Sequence, residues 1–341
     1  MEYRRLGRCG LKVSELCLGT MTFGHGTGEH EAARMVDRCL DAGVNFFDTA
    51  DTYGGGESEV MLGRALAGKR GSAIVATKVF NPTGPGANDS GASRAHIMRA
   101  VEESLARLKT DWIDLYYIHH VDADTPSQET LRTLDDLVRQ GKVRYIGCSN
   151  YEAWRLADAL ATSEHSGLAR FECFQAQYSL VVRDIEQEHV PLCQAKGLGI
   201  IAWSPLAGGF LSGKYHPGDQ RLDGTRSAEG WVYPLRYFAP NAEEILAELL
   251  AVSDRLGRGA AEIALRWLVE RPAVTSVIIG ARTEEQLETN LGAANAEIDS
   301  EDLGVLSRVS QQRLLFPRSL EDTMVERRRA AMKTSEIGDG R

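Results

Sequence analysis

The chain has 341 residues, 43% of them hydrophobic and 26% charged, an ordinary globular composition with ample material for a core. Its net charge of −9 argues against a nucleic-acid surface, and no basic run suits an anionic membrane. The six cysteines (Cys9, Cys17, Cys39, Cys148, Cys173, Cys193) form no C-x-x-C pair and no zinc spacing with histidine, so they read as buried thiols in a reducing compartment. MEYRRLGRCGLKV has no continuous apolar h-region, and no stretch approaches the roughly 18 apolar residues of a membrane span. The expectation is a soluble, cytoplasmic protein that binds neither nucleic acid nor membrane.

In chain order, residues 1–13 read as a small β-hairpin, placed to cap a barrel floor. Eight β-rich runs follow: SELCLGT (14–20), NFFDTAD (45–51), SAIVATKV (72–79), WIDLYYIHH (112–120), VRYIGCSN (143–150), ECFQAQYS (172–179), GIIAWSP (199–205) and SVIIGAR (276–282). Helical patterns lie between them. EHEAARMVDRCLDAG puts Ala32, Met35, Val36, Cys39 and Leu40 on one stripe and stops at Gly43. SRAHIMRAVEESLARLK opens on Ser93 as N-cap and carries Ile97, Val101, Leu105 and Leu108 at helical spacing. PSQETLRTLDDLVRQGK, YEAWRLADALA, DIEQEHVPLCQAKG, NAEEILAELLAVSDRLG with AAEIALRWLVERP, and EEQLETNLGAA complete the series.

Strands alternating with helices imply right-handed crossovers and a parallel sheet. Eight units in this length predict an α/β fold of the (β/α)8 TIM-barrel kind, typically about 250 residues plus insertions. An open doubly wound sheet is the alternative. One domain is expected over 1–320, with a charged tail at 321–341 that frays. Two long loops, 80–92 and 215–240, have the length of binding loops.

In such a barrel the C-terminal strand ends form the active site. Those ends carry Asp48, Asp51 and Tyr53, then Lys78, His119 and His120, Ser149 and Asn150, Gln175 and Gln177, and Trp203 and Ser204. Four of these suggest one chemistry. A phenol donates a proton poorly at neutral pH unless its anion is stabilised, and an ammonium beside it does that. Tyr53 would donate to a carbonyl, Lys78 would tune Tyr53, Asp48 would anchor Lys78, and His119 would polarise the substrate. A hydride must then come from a cofactor. Singly, Lys78 could be a strand-end lysine reaching water, Tyr53 a rim aromatic before Gly54-Gly55-Gly56, and His119 a hydrogen-bonded strand-end histidine. Four compatible groups at neighbouring strand ends favour a site, and the ordinary reading stays open mainly for Asp51, His120 and Gln177.

FDTADTYGGGESE (47–59), ATKV (76–79), DLYYIHHVD (114–122), IGCSN (146–150), QAQYS (175–179), AWSPLAGGFLSGKY (202–215) and IIGARTEEQLETN (278–290) together resemble the aldo-keto reductase superfamily. YRRLGRCGLKVSELCLGTMTFG (3–24) is similar to its bacterial members and to the potassium-channel beta-subunit branch. The resemblance implies a barrel that reduces aldehydes and ketones with NADPH and without a metal, its catalytic tetrad falling on Asp48, Tyr53, Lys78 and His119. It also implies cofactor contacts: Thr20 and Met21 near the nicotinamide ribose, Ser149, Asn150 and Gln175 on the carboxamide, and Trp203 stacked on the ring. Ser204, Pro205, Leu206, Gly208, Ser212 and Lys214 resemble the pyrophosphate loop, and Gly280, Arg282, Gln286 and Asn290 the segment holding the adenosine half.

GGFLSGKY (208–215) matches G-x-x-x-x-G-K, but Tyr215 replaces the magnesium-binding Ser/Thr, so it fails as a triphosphate loop. A glycine-rich backbone plus a lysine still suits a pyrophosphate. Where the family commonly has Glu-Asn, this chain has Thr289-Asn290. Arg282 with Arg226 offers guanidinium charge for a 2′-phosphate, hence NADPH over NADH. Phe23, Phe80, His120 and Trp231, together with Tyr53 and His119, are the expected substrate wall, suited to aromatic or medium-chain aldehydes or sugar-type carbonyls. A ketoreductase of nucleotide-linked deoxysugars and a slow, cofactor-binding regulatory subunit are the alternatives. A metal-dependent barrel hydrolase would want an H-x-H pattern that the strand ends lack. Neither the physiological substrate nor the oligomeric state follows from the sequence.

Overall fold

The computed structural model describes residues 1–218, 239–321, 324–325 and 327–329. β1 (Tyr3–Arg5) and β2 (Lys12–Ser14) form an antiparallel pair. Eight parallel strands then close a barrel: β3 (Leu16–Gly19), β4 (Phe46–Asp48), β5 (Ile74–Val79), β6 (Ile113–Ile118), β7 (Val143–Ser149), β8 (Phe171–Gln177), β9 (Gly199–Trp203) and β10 (Val274–Ile279). They are hydrogen-bonded in sequence order, with β10 returning to β3. The predicted (β/α)8 fold is therefore present, floor hairpin included.

Leu6 and Val13 of the hairpin are fully buried and pack with Cys17, Phe46, Leu115 and Ile201 inside the barrel, so the hairpin plugs its N-terminal end. Gly7 makes this possible. At φ 60° it brings its backbone against β8 and β9, where a Cβ would lie 2.5 Å from the Glu172 carbonyl oxygen.

Helices α1 (Glu29–Asp41), α2 (Glu57–Ala65), α3 (Arg94–Leu108), α4 (Ser127–Arg139), α5 (Ala153–Ser166), α6 (His189–Lys196), α7 (Ala242–Leu256), α8 (Ala260–Val269), α9 (Glu284–Gly292) and α10 (Ser300–Val309) cover the outside. Ser93 caps α3 as expected, accepting from the His96 backbone N–H. Two helices, α2 and α10, go beyond the sequence reading. α2 buries Ser58 and Glu59 on its core face, so no clean apolar stripe announces it. Ser58 bonds Thr20 and Thr49, and Glu59 accepts from Thr77 and Arg107, which ties α2 to the strands by hydrogen bonds. No described helix is long and apolar enough to cross a membrane.

The period-2 alternation of the strands decides which residues reach the site. Phe46, Ala76, Leu115, Tyr117, Cys173 and Ile201 fill the interior, while Phe47, Val75, Tyr116, Ile118, Phe174 and Ala202 pack outward beneath the helices. One further inward step along each strand reaches Asp48, Lys78, His119, Gln175 and Trp203 at the C-terminal rim.

Several expected strands ran past their observed ends. At Asn150 (φ 58°) and Ser204 (φ 54°) the backbone turns left-handed just after β7 and β9 and stops the ladder.

Candidate active site

Lys78 is the next-to-last residue of β5, its side chain fully buried, and its Nζ donates to Asp48 Oδ1 (2.5 Å), the Thr49 carbonyl (2.7 Å) and the Tyr53 hydroxyl (3.2 Å). Its ammonium also lies 4.7 Å from the centre of the Tyr53 ring. Gln175 Nε2 donates to the other Asp48 oxygen at 2.8 Å, so the carboxylate has a donor on each side. Burial works against the Lys78 charge, but Asp48 and then Tyr53 outweigh it and hold its pKa above the ordinary lysine value. Burial likewise pushes the Asp48 carboxyl up, opposed by Lys78 and Gln175. The pair is ionised, because a neutral carboxyl would leave a buried ammonium with no counter-charge.

Tyr53 stands before a turn that strongly favours glycine. Gly54, Gly55 and Gly56 have φ of 60°, 67° and 96° in succession, and the chain then enters α2. His119 lies edge-on to Tyr53, ring centroids 6.0 Å apart. Burial, then Lys78 and His120, lowers its pKa to about 2, so the ring is neutral. His120 stacks on His119 at 4.8 Å and meets the Phe80 edge at 5.4 Å. The predicted tetrad is thus one contiguous group, with Phe80 and His120 beside it.

Phe23 needs correction. It is fully buried in the outer core under the helices, where the expectation had it lining the pocket. Arg226 and Trp231, with most of the 215–240 loop and of the 321–341 tail, lie outside the described residues.

The remaining candidates divide. Ser149 Oγ is buried without a hydrogen-bond partner, and Gln175 spends its amide nitrogen on Asp48, leaving its carbonyl oxygen. A primary carboxamide offers both a donor and an acceptor to such a pair, so these residues fit a nicotinamide. Asn150 Nδ2 donates to the His119 carbonyl (3.0 Å) and lies 3.5 Å from His120 Nδ1. Trp203 is half-buried at the end of β9, and Met21 is 37% exposed at the rim. Thr20 is spent within the scaffold, its hydroxyl on Ser58 and the Asp48 carbonyl.

Past Ser204, Pro205 and Leu206, the turn Ala207–Ser212 carries Gly208 and Gly209 at φ 68° and 104°, and Ser212 closes it onto the Gly209 carbonyl. Lys214 is exposed beside it. Successive backbone N–H groups in such turns suit an anionic group. Gln286 Oε1 accepts from the Arg282 backbone N–H and Asn290 Nδ2 donates to the Gly280 carbonyl, so both brace the loop between β10 and α9. Thr289 turns its hydroxyl back onto the Glu285 carbonyl.

Two positions in contact with this group escaped the sequence reading. The Thr49 carbonyl is the third acceptor for Lys78, which no sequence signal announces. Asn81 Nδ2 lies 3.3 Å from His119 Nδ1; its place three residues after Lys78, in the loop after β5, was the available clue.

A closed barrel of eight parallel strands thus holds a buried Lys–Asp pair against a phenol and a neutral imidazole at its C-terminal rim, the end where barrel enzymes carry their active sites. The sequence profile of the Aldo/keto reductase family matches residues 15–311, and the chain belongs to that family. It is 41% identical to "Uncharacterized oxidoreductase YrpG" of Bacillus subtilis over 91% of this chain and 96% of that protein. It is 36% identical to the "Probable voltage-gated potassium channel subunit beta" of Arabidopsis thaliana, over 86% of this chain and 92% of the relative. The protein of the same description from Oryza sativa is 37% identical over 86% of this chain and 91% of its own length.

Proposed function

We propose that the protein reduces aldehyde or ketone carbonyls with NADPH, with Tyr53 as general acid. The observation that carries this reading is the Lys78 ammonium 3.2 Å from the Tyr53 hydroxyl and 2.5 Å from Asp48. Tyr53 gives its proton to the carbonyl oxygen, and Lys78 stabilises the phenolate that remains. Asp48 keeps Lys78 charged and in place. His119, neutral, donates to the same oxygen and orients it. NADPH supplies the hydride when bound. Ser149, Asn150 and Gln175 would hold its carboxamide, Trp203 its ring face, and the turn from Ser204 to Lys214 its pyrophosphate, with Arg282 and Arg226 for the 2′-phosphate. Phe80 and His120 form a wall suited to aromatic or medium-chain carbonyls.

The test is carbonyl-dependent oxidation of NADPH by the purified protein, followed at the nicotinamide absorbance against aromatic, aliphatic and sugar carbonyls. Turnover on one class supports the reading and names the substrate class. The plant relatives favour a second reading, a cofactor-binding subunit of a membrane complex. Tight NADPH binding without turnover on any carbonyl, and co-purification with a membrane protein, would move the assignment there.

A further inference from the structure

Asn81 is absorbed by neither the tetrad nor the cofactor contacts, yet it reaches the one reactive ring whose protonation site matters. Its Nδ2 lies 3.3 Å from His119 Nδ1. An amide N–H can only donate, so it pairs with an unprotonated Nδ1 and leaves the neutral ring's single proton on Nε2. Nε2 is the nitrogen on the far side of the ring from Asn81. Burial beside the Lys78 ammonium excludes a second proton, so the tautomer alone decides whether the ring donates or accepts.

The loop that carries Asn81 is built to hold it. The Gly91 N–H bonds the Phe80 carbonyl at 2.7 Å, closing the loop across its base. Asp89 binds the Gly86 N–H and the Arg99 guanidinium, and Asp122 accepts from the Ala92 N–H. Three anchors fix a loop whose base residues are Phe80 and Asn81. Ordering those residues costs conformational entropy, which such anchoring offsets.

We infer that Asn81 is a positioning residue that fixes His119 in the Nε2–H tautomer, so that the ring presents a donor to a substrate carbonyl oxygen. The donor role rests on the carbonyl-reductase reading; the tautomer does not. An Nδ1–H ring would instead present a lone pair at Nε2, which would compete for the Tyr53 proton and repel the carbonyl oxygen.

The test uses full-length protein with ¹⁵N-labelled histidine, the His119 signals being assigned by comparison with His119→Gln. Long-range ¹H–¹⁵N correlation spectra report which ring nitrogen carries the proton, with or without cofactor. In the native protein Nε2 is expected to be protonated. Asn81→Asp puts an acceptor opposite Nδ1 and should move the proton there. With the best carbonyl, kcat should fall about tenfold or more while NADPH affinity holds. Asn81→Leu, similar in size but with no donor, should give a mixture of tautomers and a smaller loss. A His119 that keeps Nε2–H in both variants would overturn the inference, as would an Nδ1–H ring in the native protein. A shifted tautomer with unchanged kcat would overturn the donor role. A protein that reduces no carbonyl would fail the function while leaving the spectroscopic result to decide the tautomer.

Discussion

The Lys78 ammonium and the Asp48 carboxylate meet at 2.5 Å in a barrel interior where both side chains are almost wholly sealed from water. Neither charge could stay there alone. Taking an ion out of water costs several kcal/mol, and only a well-placed counter-charge with further hydrogen bonds offsets it. Thr49 and Gln175 supply those bonds.

Asp48→Asn keeps the shape and removes the charge, so Lys78 is left buried without a counter-ion. The expected loss is about 3–5 kcal/mol of stability, read by urea denaturation. A loss below about 1 kcal/mol would show that the pair is not the buried ionic unit described above.

Asp51, two residues before Tyr53, behaves differently. Its carboxyl is buried, and burial and then Glu59 push its pKa from 3.8 up to about 7. The folded state therefore holds this proton more tightly than the unfolded chain between those values. That contribution is complete at low pH and is lost as pH rises toward about 7. Asp51→Asn has nothing to lose across that window. The melting-temperature advantage of the variant over the native protein should grow between about pH 4 and pH 8. An advantage that does not change with pH would remove Asp51 from this role.

His119 makes the opposite statement about activity. With its pKa lowered to about 2, it does not titrate in the working range. The kcat profile for carbonyl reduction should show no limb near the ordinary imidazole pKa of about 6.5. A limb there that disappears in His119→Gln would mean the ring is charged in the reacting complex.

Much of this was legible from the sequence for one reason. Strands that alternate inward and outward residues carry their pattern openly, so Asp48, Lys78, His119 and Gln175 could be assigned to strand ends by counting. The hairpin floor and the Ser93 cap were legible on equally local grounds. What failed was set by tertiary context. α2 anchors itself with Ser58 and Glu59 where an apolar stripe was sought. Phe23 looked like a pocket aromatic because it follows β3, but its loop folds back and carries the ring into the outer core. Asn81 carries no signal beyond its distance from Lys78, because its meaning lies in one hydrogen bond to a different strand's histidine.

The most direct measurement compares native protein and Tyr53→Phe in single-turnover reduction of the best carbonyl substrate, with NADPH binding titrated in parallel. Removing only the hydroxyl should lower the rate by about 10²–10⁴-fold and leave NADPH affinity within about twofold. A variant that reduces the carbonyl at close to the native rate would contradict Tyr53 as the acid, and with it the role given to the Lys78–Asp48 pair.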